Sequence, residues 1–345
     1  MKPVLHINTN RAGAAISQKR EVVAGMAEGG KTASKYDSGQ WGGGKFHAII
    51  AHMDMFTDYK PFRLNVNGVA IAGVMGGSGP PLLLLHGYPQ THLIWHRVAA
   101  ELMKHYTVVA TDLRGYGASD KPPGLADHSN YSKREMARDQ VEVMRALGFD
   151  SFYLCGHDRG GRVSHRLAVD HPRAVKKLML LDIAPTLSMY EQTTMDFARA
   201  YWWWFFLIQP APFPETIMTT QPDTYLKKKI GWGHAGLTPF TDETYAAYLA
   251  NVSHFDSAHG MCEDYRAAAS IDLEHDRADR AAGVKMQCPT RVLWGEFGVV
   301  NRCFKPLDDW RRVAGEVSGS TVPCGHYIPE EVPARLLEEL LAFMK

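Results

Sequence analysis

The stretch that decides the fold reads Gly156-His157-Asp158-Arg159-Gly160-Gly161. It follows the apolar run Phe152–Cys155 and leads into a helix-like segment, a pattern typical of a strand, a tight turn and a helix. Such a turn exposes a reactive side chain at the carboxyl end of a strand, and here that side chain is the carboxylate of Asp158. A Ser at this place would attack acyl carbonyls, whereas a carboxylate attacks an electrophilic sp³ carbon and forms an ester that water must hydrolyse. The motif therefore favours substitution at carbon.

Other apolar runs predict that this strand belongs to a mostly parallel sheet covered on both faces. Amphipathic stretches separate the runs, and this alternation indicates the α/β class. The pair Asn67-Gly68, between two alternating segments, predicts an antiparallel hairpin at the start of the sheet. The strand-like runs are Leu82–Leu85, Thr107–Ala110, Phe152–Cys155, Leu178–Leu181 and Arg291–Trp294.

The alternation breaks after Asp182. From Thr186 to about Ala281 there is no strand-like run, and the helical segments include the aromatic run Tyr201–Phe206. Six consecutive aromatic residues cannot share one helix face, so at least one indole is expected to face a cavity. The pattern predicts an α/β core of residues 56–185 and 282–345, with a helical cap of residues 186–281 inserted between two strands.

The first part of the chain differs in composition. Met1–Phe46 is rich in Gly, Ala, Ser and Lys and lacks sustained periodicity, which predicts that residues 1–55 form a flexible extension. Two alternatives stay open: a targeting segment of the transit-peptide type, or a misassigned start ahead of a true start near Met53 or Met55.

Composition narrows the class of protein. The net charge of +1 gives no reason to expect a nucleic-acid partner, and no run approaches the roughly 18 apolar residues of a membrane helix. The five Cys are scattered, without metal-ligand spacing, so we expect free thiols in the cytoplasm and no metal. The expected partner is a small-molecule substrate.

Two residues further along complete a catalytic set with Asp158. His326 follows a weak strand near the C-terminus and would take a proton from the water that attacks the ester. This imidazole needs a carboxylate behind it. Asp182 and Glu296 both follow strands and compete for that role; Asp182 is favoured because Ile183-Ala184-Pro185 is a strand exit that stops a helix.

Backbone and cationic groups are expected around the nucleophile. The Tyr88 amide, in His86-Gly87-Tyr88-Pro89, and the Arg159 amide could hold a carboxylate oxygen and later the oxyanion. The side chains of Arg159 and Arg162 lie at a helix start, where added positive charge is unfavourable without an anion. A substrate carboxylate would supply that anion, so both arginines are candidates to bind it.

From about Met55 to Lys345 the chain resembles the fluoroacetate/haloacetate dehalogenase family of α/β-hydrolases. The resemblance implies a dehalogenase that needs no cofactor and forms a homodimer, with Asp158 as nucleophile, His326 as base and Asp182 as its partner. It rests on His86–Gln90, Asp112–Gly117, Gly156–Arg162, Asp182–Pro185, Tyr201–Phe206, Cys262-Glu263-Asp264-Tyr265-Arg266 and Gly325-His326.

The resemblance also implies that Trp203, Trp204 and Tyr265 hold the departing halide. Trp203 departs from the family pattern, in which fluoroacetate hydrolases usually carry His. An indole is bulkier than an imidazole, so we expect chloro- or bromoacetate to be preferred over fluoroacetate. Two alternatives stay open: an epoxide hydrolase in which Tyr265 and another cap Tyr protonate the epoxide oxygen, and a hydrolase-fold receptor that binds without turnover.

Overall fold

A computed structural model describes residues 53–345 of the chain. The predicted extension of residues 1–55 lies outside the described residues except for its last three, which belong to a short 3₁₀ turn, Met53–Phe56. The centre of the described part is an eight-stranded sheet in the order β1-β2-β4-β3-β5-β6-β7-β8. The strands are β1 (Lys60–Val66), β2 (Val69–Gly76), β3 (Pro81–Leu85), β4 (Thr107–Thr111), β5 (Phe152–His157), β6 (Val175–Leu181), β7 (Thr290–Gly295) and β8 (Val317–Val322).

The first hairpin forms where Asn67-Gly68 predicts it. Strands β1 and β2 pair antiparallel up to Val66 opposite Val69. Asn67 and Gly68 have φ angles of 48° and 77°, the left-handed conformation that a two-residue hairpin turn requires. Strand β2 also pairs antiparallel with β4, so it joins the hairpin to the rest of the sheet.

All remaining neighbours, from β4 through β3 to β8, pair in parallel. The five predicted runs coincide with β3 to β7, and their residues are almost wholly buried; Leu82–Leu85, for example, have no exposed surface. This burial explains why the runs are continuously apolar rather than alternating. The α/β class with a mostly parallel sheet is confirmed, and the carboxyl ends of β3, β5 and β6 share one edge of it.

Helices cover the sheet and connect its strands. Ser132 accepts a hydrogen bond from the Glu135 amide at the start of α2 (Lys133–Ala146), a cap that the spacing Ser-x-x-Glu favours. Helix α3 (Arg159–Asp170) begins directly after Asp158. The helices outside the segment between β6 and β7 are α1 (His96–Leu102), α2 (Lys133–Ala146), α3 (Arg159–Asp170), α12 (Val299–Cys303), α13 (Pro306–Arg311), α14 (Ile328–Glu331) and α15 (Pro333–Phe343).

The segment between β6 and β7 is helical. We propose that residues 186–281 of this segment form the cap and that the flanking residues 56–185 and 282–345 form the core. Helix α10 (Phe255–Ala268) packs closely against the turn that follows β4, because a Cβ on Gly260 would lie 2.7 Å from the Gly115 Cα. The helices are α4 (Thr186–Glu191), α5 (Met195–Ala200), α6 (Trp202–Phe206), α7 (Phe213–Thr220), α8 (Pro222–Ile230), α9 (Asp242–Ser253), α10 (Phe255–Ala268) and α11 (Ile271–Ala282).

Across residues 53–345, every helix is too short or too polar to cross a bilayer.

Candidate active site

Asp158 occupies the turn between β5 and α3. Its φ angle is +47°, a left-handed conformation that costs free energy in any residue with a Cβ and is common at reactive positions. The turn also needs a residue without a side chain two positions later, since a Cβ on Gly160 would lie 2.3 Å from the Leu85 carbonyl oxygen. The strand, turn and helix that the motif predicts are therefore present, and the Asp158 carboxylate lies at their junction.

The surroundings of Asp158 keep its carboxylate ionised. Burial alone would raise the pKa of Asp158, but the nearby His326, His157, Arg162 and Arg159 lower it to about 2. The Tyr88 amide donates a hydrogen bond to Oδ1 over 3.0 Å. One oxygen is therefore held in place, and the carboxylate needs no base to become nucleophilic.

The His326 imidazole links Asp158 to Asp182. Its Nδ1 lies 2.5 Å from Asp182 Oδ2, and its Nε2 lies 3.7 Å from Asp158 Oδ2. Asp182 follows β6 with a φ of +49°, and its Oδ1 accepts a hydrogen bond from the Gly295 amide over 2.9 Å. The structure thus brings Asp182, and not Glu296, to the imidazole. With Nδ1–H donated to Asp182, the unprotonated Nε2 faces the predicted nucleophile.

His157 helps to fix the position of His326. Burial and the neighbouring His326 lower the pKa of His157 to about 3, so this imidazole is neutral. Its Nε2–H donates to the His326 carbonyl oxygen over 2.8 Å, and the two rings lie 4.7 Å apart. This contact fixes the loop after β8 against β5.

Arg159 already has an anionic partner within the protein. Its Nε and Nη2 donate to the two oxygens of the Asp264 carboxylate over 2.9 and 2.7 Å, and its guanidinium covers the Tyr265 ring at 4.1 Å. Asp264 also pairs with Lys133 and accepts a hydrogen bond from Tyr116. Among residues 53–345, Nη1 is the one nitrogen of the Arg159 guanidinium without a partner. Asp264 thus supplies an anionic partner for this charge within the protein, and binding of a substrate carboxylate by Arg159 stays a prediction.

Arg162 differs from Arg159 in the groups that surround its guanidinium. Its Nη1 donates to the Ala184 carbonyl oxygen and to Thr186 Oγ1, and its guanidinium covers the Trp204 ring at 4.7 Å. In the part of the chain that the structure describes, it forms no ion pair, and its Nε has no partner. Burial, together with the charge of Arg159, lowers the pKa of Arg162. Arg162 is therefore a buried cation next to Asp158 that lacks a fixed anion.

The three predicted halide ligands fall into two groups. Trp204 and Tyr265 lie near each other, with ring centroids 6.3 Å apart. The Trp204 Nε1 and the Tyr265 hydroxyl are buried and have no hydrogen-bond partner in the described part of the chain. Trp203 instead packs against Tyr201 at 4.5 Å and lies under the Lys229 ammonium at 4.0 Å. Trp203 also lines a cavity of about 270 Å³ beside His326, as expected for one of the indoles.

Two residues close to the site carry no role in the sequence analysis. Asp264 lies inside the segment Cys262–Arg266, but no local pattern in the sequence indicates that it pairs with Arg159. Lys229 ends the run Lys227-Lys228-Lys229, which suggests a solvated face. Helical spacing indicates instead that Lys229 is buried, because it lies on the same face of α8 as other buried side chains. The buried side chains of α8 are Tyr225, Leu226, Lys229 and Ile230.

No set of three His, Cys, Asp or Glu side chains among residues 53–345 is arranged to hold a metal ion. The described residues thus bring together a carboxylate, an imidazole, a buried cation and two unpartnered aromatic donors. This arrangement can bind an anion, attack it with Asp158 and stabilise a second, departing anion.

Comparison with known proteins identifies the family. Residues 80–296 match a family described as alpha/beta hydrolase fold. The chain is 45% identical over 292 residues to the fluoroacetate dehalogenase of Burkholderia sp., a match that covers 84% of this chain and 95% of that protein. The chain belongs to the dehalogenase family of α/β-hydrolases.

Other similarities place this family member among related hydrolases. It is 31% identical to the soluble epoxide hydrolase of Corynebacterium sp. strain C12, over 84% of this chain and 98% of that protein. A crystal structure from Nostoc sp. PCC 7120, described as an α/β hydrolase, superposes with a TM-score of 0.82 at 50% identity, over 84% of this chain and 99% of that one.

Proposed function

We propose that the protein hydrolyses small 2-haloacids, such as haloacetates, through a covalent ester of Asp158. The observation that carries this proposal is the pairing of an ionised, buried carboxylate with Arg162, a buried cation that forms no ion pair among residues 53–345. A substrate carboxylate is the missing anion, and a bound haloacid would present its α-carbon to Asp158. The similarity to fluoroacetate dehalogenase supports the same substrate class.

The first step is a displacement at the α-carbon. Asp158 Oδ1 is held by the Tyr88 amide, so Oδ2 attacks; the new C–O bond forms as the carbon–halogen bond breaks. The halide leaves with the bonding electron pair. The buried Nε1–H of Trp204 and hydroxyl of Tyr265 have no other partners, which supports a role in receiving it, with Trp203 as the third candidate.

The second step is hydrolysis of the ester. His326 takes a proton from water through Nε2, and the resulting hydroxide attacks the carboxyl carbon of Asp158. The Tyr88 and Arg159 amides would hold the oxyanion, and the contact with Asp182 stabilises the imidazolium that forms. Collapse of the intermediate releases the 2-hydroxyacid and leaves one oxygen atom from water in the Asp158 side chain.

Halide preference is expected to follow from Trp203. Ion-selective measurement should show faster release of chloride and bromide than of fluoride from the three haloacetates. A Trp203→His variant should shift the ratio of fluoroacetate to chloroacetate turnover upward at least about tenfold, because the imidazole is smaller than the indole and closer approach of its N–H to the developing fluoride would contribute more than about 1.4 kcal/mol. Trp202→His is the matched control, since Trp202 packs on Phe206 and Tyr225. Fluoroacetate as the fastest substrate of the unaltered protein would contradict this expectation.

Substitution of Arg162 and substitution of Arg159 should have different effects on substrate binding and on stability. Arg162→Gln is expected to raise KM for chloroacetate by about 10- to 100-fold, since a charge-assisted contact contributes about 1.5–3 kcal/mol. It should affect neutral chloroacetamide much less. Arg159→Gln should also lower stability towards urea, because it deprives the buried Asp264 of its main partner. Equal effects of Arg162→Gln on the acid and the amide would argue against carboxylate binding by Arg162.

An epoxide hydrolase is the second candidate, favoured by one observation. The Tyr265 hydroxyl is buried without a partner, and the hydroxyl of a second cap tyrosine, Tyr201, lies 3.4 Å from His326 Nδ1. Tyr265 could donate a proton to an opening epoxide. Incubation with styrene-type epoxides distinguishes the two: diol formation exceeding halide release would favour this candidate, and saturable binding of both substrates without product would favour a receptor.

The proposal extends to the setting of the enzyme. We propose that it acts in the cytoplasm as a homodimer. A reducing compartment would keep its five cysteine thiols free. Sedimentation equilibrium of the purified full chain tests the dimer.

A further inference from the structure

A cavity of about 270 Å³ lies beside His326. It reaches His326, but Arg162, Trp204 and Tyr265 do not line it. The proposed mechanism therefore leaves this space unused. The charged and aromatic residues of its wall include Trp203, Lys229, His234, Arg302, His326 and Glu331.

Lys229 is the unusual member of this wall, because its side chain is only 1% exposed. Its Nζ donates a hydrogen bond to the Tyr327 hydroxyl over 2.9 Å and lies 4.0 Å from the centre of the Trp203 ring. The rings of Tyr88 and Tyr327 follow at 5.4 Å. Within residues 53–345 it forms no ion pair, so two of its three N–H donors remain for a ligand.

A buried ammonium with no carboxylate beside it is unfavourable. Burial lowers the pKa of Lys229 to about 7, although the charge of Asp158 acts in the opposite direction. Three aromatic faces compensate the charge only in part. A desolvated cation with no ion pair among the described residues, next to a cavity, favours binding of an anion.

The other charged groups make the cavity favourable for an anion. Arg302 adds a positive charge, whereas the carboxylate of Glu331 is occupied by the backbone amides of Gly325 and Tyr327 at 2.6 and 2.8 Å. The titratable groups that face Lys229 from the surrounding elements are Asp158, His157, His326, His234, Tyr88, Tyr327, Glu331 and Arg302.

We propose that this cavity, which Trp203 helps to line, is a second anion site, in which the Lys229 ammonium holds a small monovalent anion beside His326. The identity of the anion rests on the proposed function. If that function holds, the anion is the haloacid before it reaches Asp158 or the halide after it has left the substrate. Lys229 acts as a positioning residue and exchanges no proton with the substrate.

Anion binding is tested without any turnover. Protein labelled with ¹³C at the lysine ε-carbons is titrated with base, and the Lys229 signal is assigned by its loss in Lys229→Arg. Bromide and acetate are added in separate titrations. The titrations use the Arg162→Gln variant, so that anion binding to Arg162 does not contribute to the signal. We expect a saturable rise in the Lys229 midpoint of about one pH unit, corresponding to tenfold tighter binding to the ammonium form. A midpoint that does not change, or that rises without saturation as in simple screening, would overturn the proposal. A response to bromide alone assigns the halide, and one to acetate alone assigns the acid.

Kinetics supply the second test. Lys229→Met is expected to raise KM for chloroacetate about tenfold, with a smaller change in kcat and a smaller effect on neutral chloroacetamide; Lys229→Arg should restore most of the loss. In the unaltered protein, KM for chloroacetate should be lowest below the Lys229 midpoint and rise above it, because the neutral amine no longer attracts the anion. Equal losses with acid and amide would indicate a purely structural role and overturn the proposal. If the unaltered protein releases no chloride, the proposed function fails, and the NMR titration still decides the anion site.

Discussion

A His326→Asn variant is expected to release one halide for each active site and then stop, with a loss of at least about 10³-fold in steady-state turnover. Asp158 is ionised, with a pKa of about 2, and attacks without help from a base. Hydrolysis of the ester, by contrast, needs the imidazole nitrogen that lies 3.7 Å from the Asp158 carboxylate. The first half of the reaction should therefore survive the substitution, while the second half should not.

The trapped ester can be measured directly. After incubation with chloroacetate, the intact mass of the variant should increase by one carboxymethyl group, and peptide mapping should assign that group to Asp158. The double variant Asp158→Asn/His326→Asn is the control and should acquire no such group at this site. Continuous halide release by His326→Asn, without an adduct, would show that the imidazole is not the base of the second step.

Asp158→Asn is expected to lower halide release by at least about 10⁴-fold, equivalent to about 5.5 kcal/mol of activation free energy. The loss is chemical rather than structural. Asn tolerates the left-handed conformation at φ +47°, and its amide oxygen can still accept the hydrogen bond from the Tyr88 amide. The amide, however, has no negative charge with which to attack the α-carbon.

Asp150→Asn is the matched control for this variant. Asp150 is exposed and lies just before the opposite end of β5, so the same chemical change is made far from the site. Circular dichroism should show both variants folded, with near-normal turnover in Asp150→Asn alone. Retention of more than a few per cent of the activity by Asp158→Asn, with no deamidation detected by mass, would require a different nucleophile.

The sheet and the Asp158–His326–Asp182 arrangement could be predicted because each depends on a local signal. Buried parallel strands are continuously apolar, as in Leu82–Leu85, and polar residues that end such strands meet at one edge. The choice between Asp182 and Glu296 was also accessible, since the sequence after Asp182 indicates a strand exit. Chain order and strand ends are sufficient for these positions.

The environment of the site could not be predicted in the same way, because it depends on how helices between β6 and β7 pack on the core. Nothing local indicates that Asp264 on α10 reaches Arg159, or that Lys229 on α8 lies against Trp203. Both contacts join residues far apart in the sequence. They change the interpretation of single residues: Arg159 is compensated within the protein, and Trp203 belongs with Lys229.

The most direct test of the central claim is a single turnover in ¹⁸O-labelled water, with enzyme in excess over chloroacetate. An ester at Asp158 is hydrolysed by attack at its carboxyl carbon, so the heavy oxygen should appear first in the peptide that carries Asp158, and the glycolate should contain none. Label in the glycolate after that single turnover, with unlabelled Asp158, would mean that water attacks the α-carbon directly and would contradict the covalent mechanism.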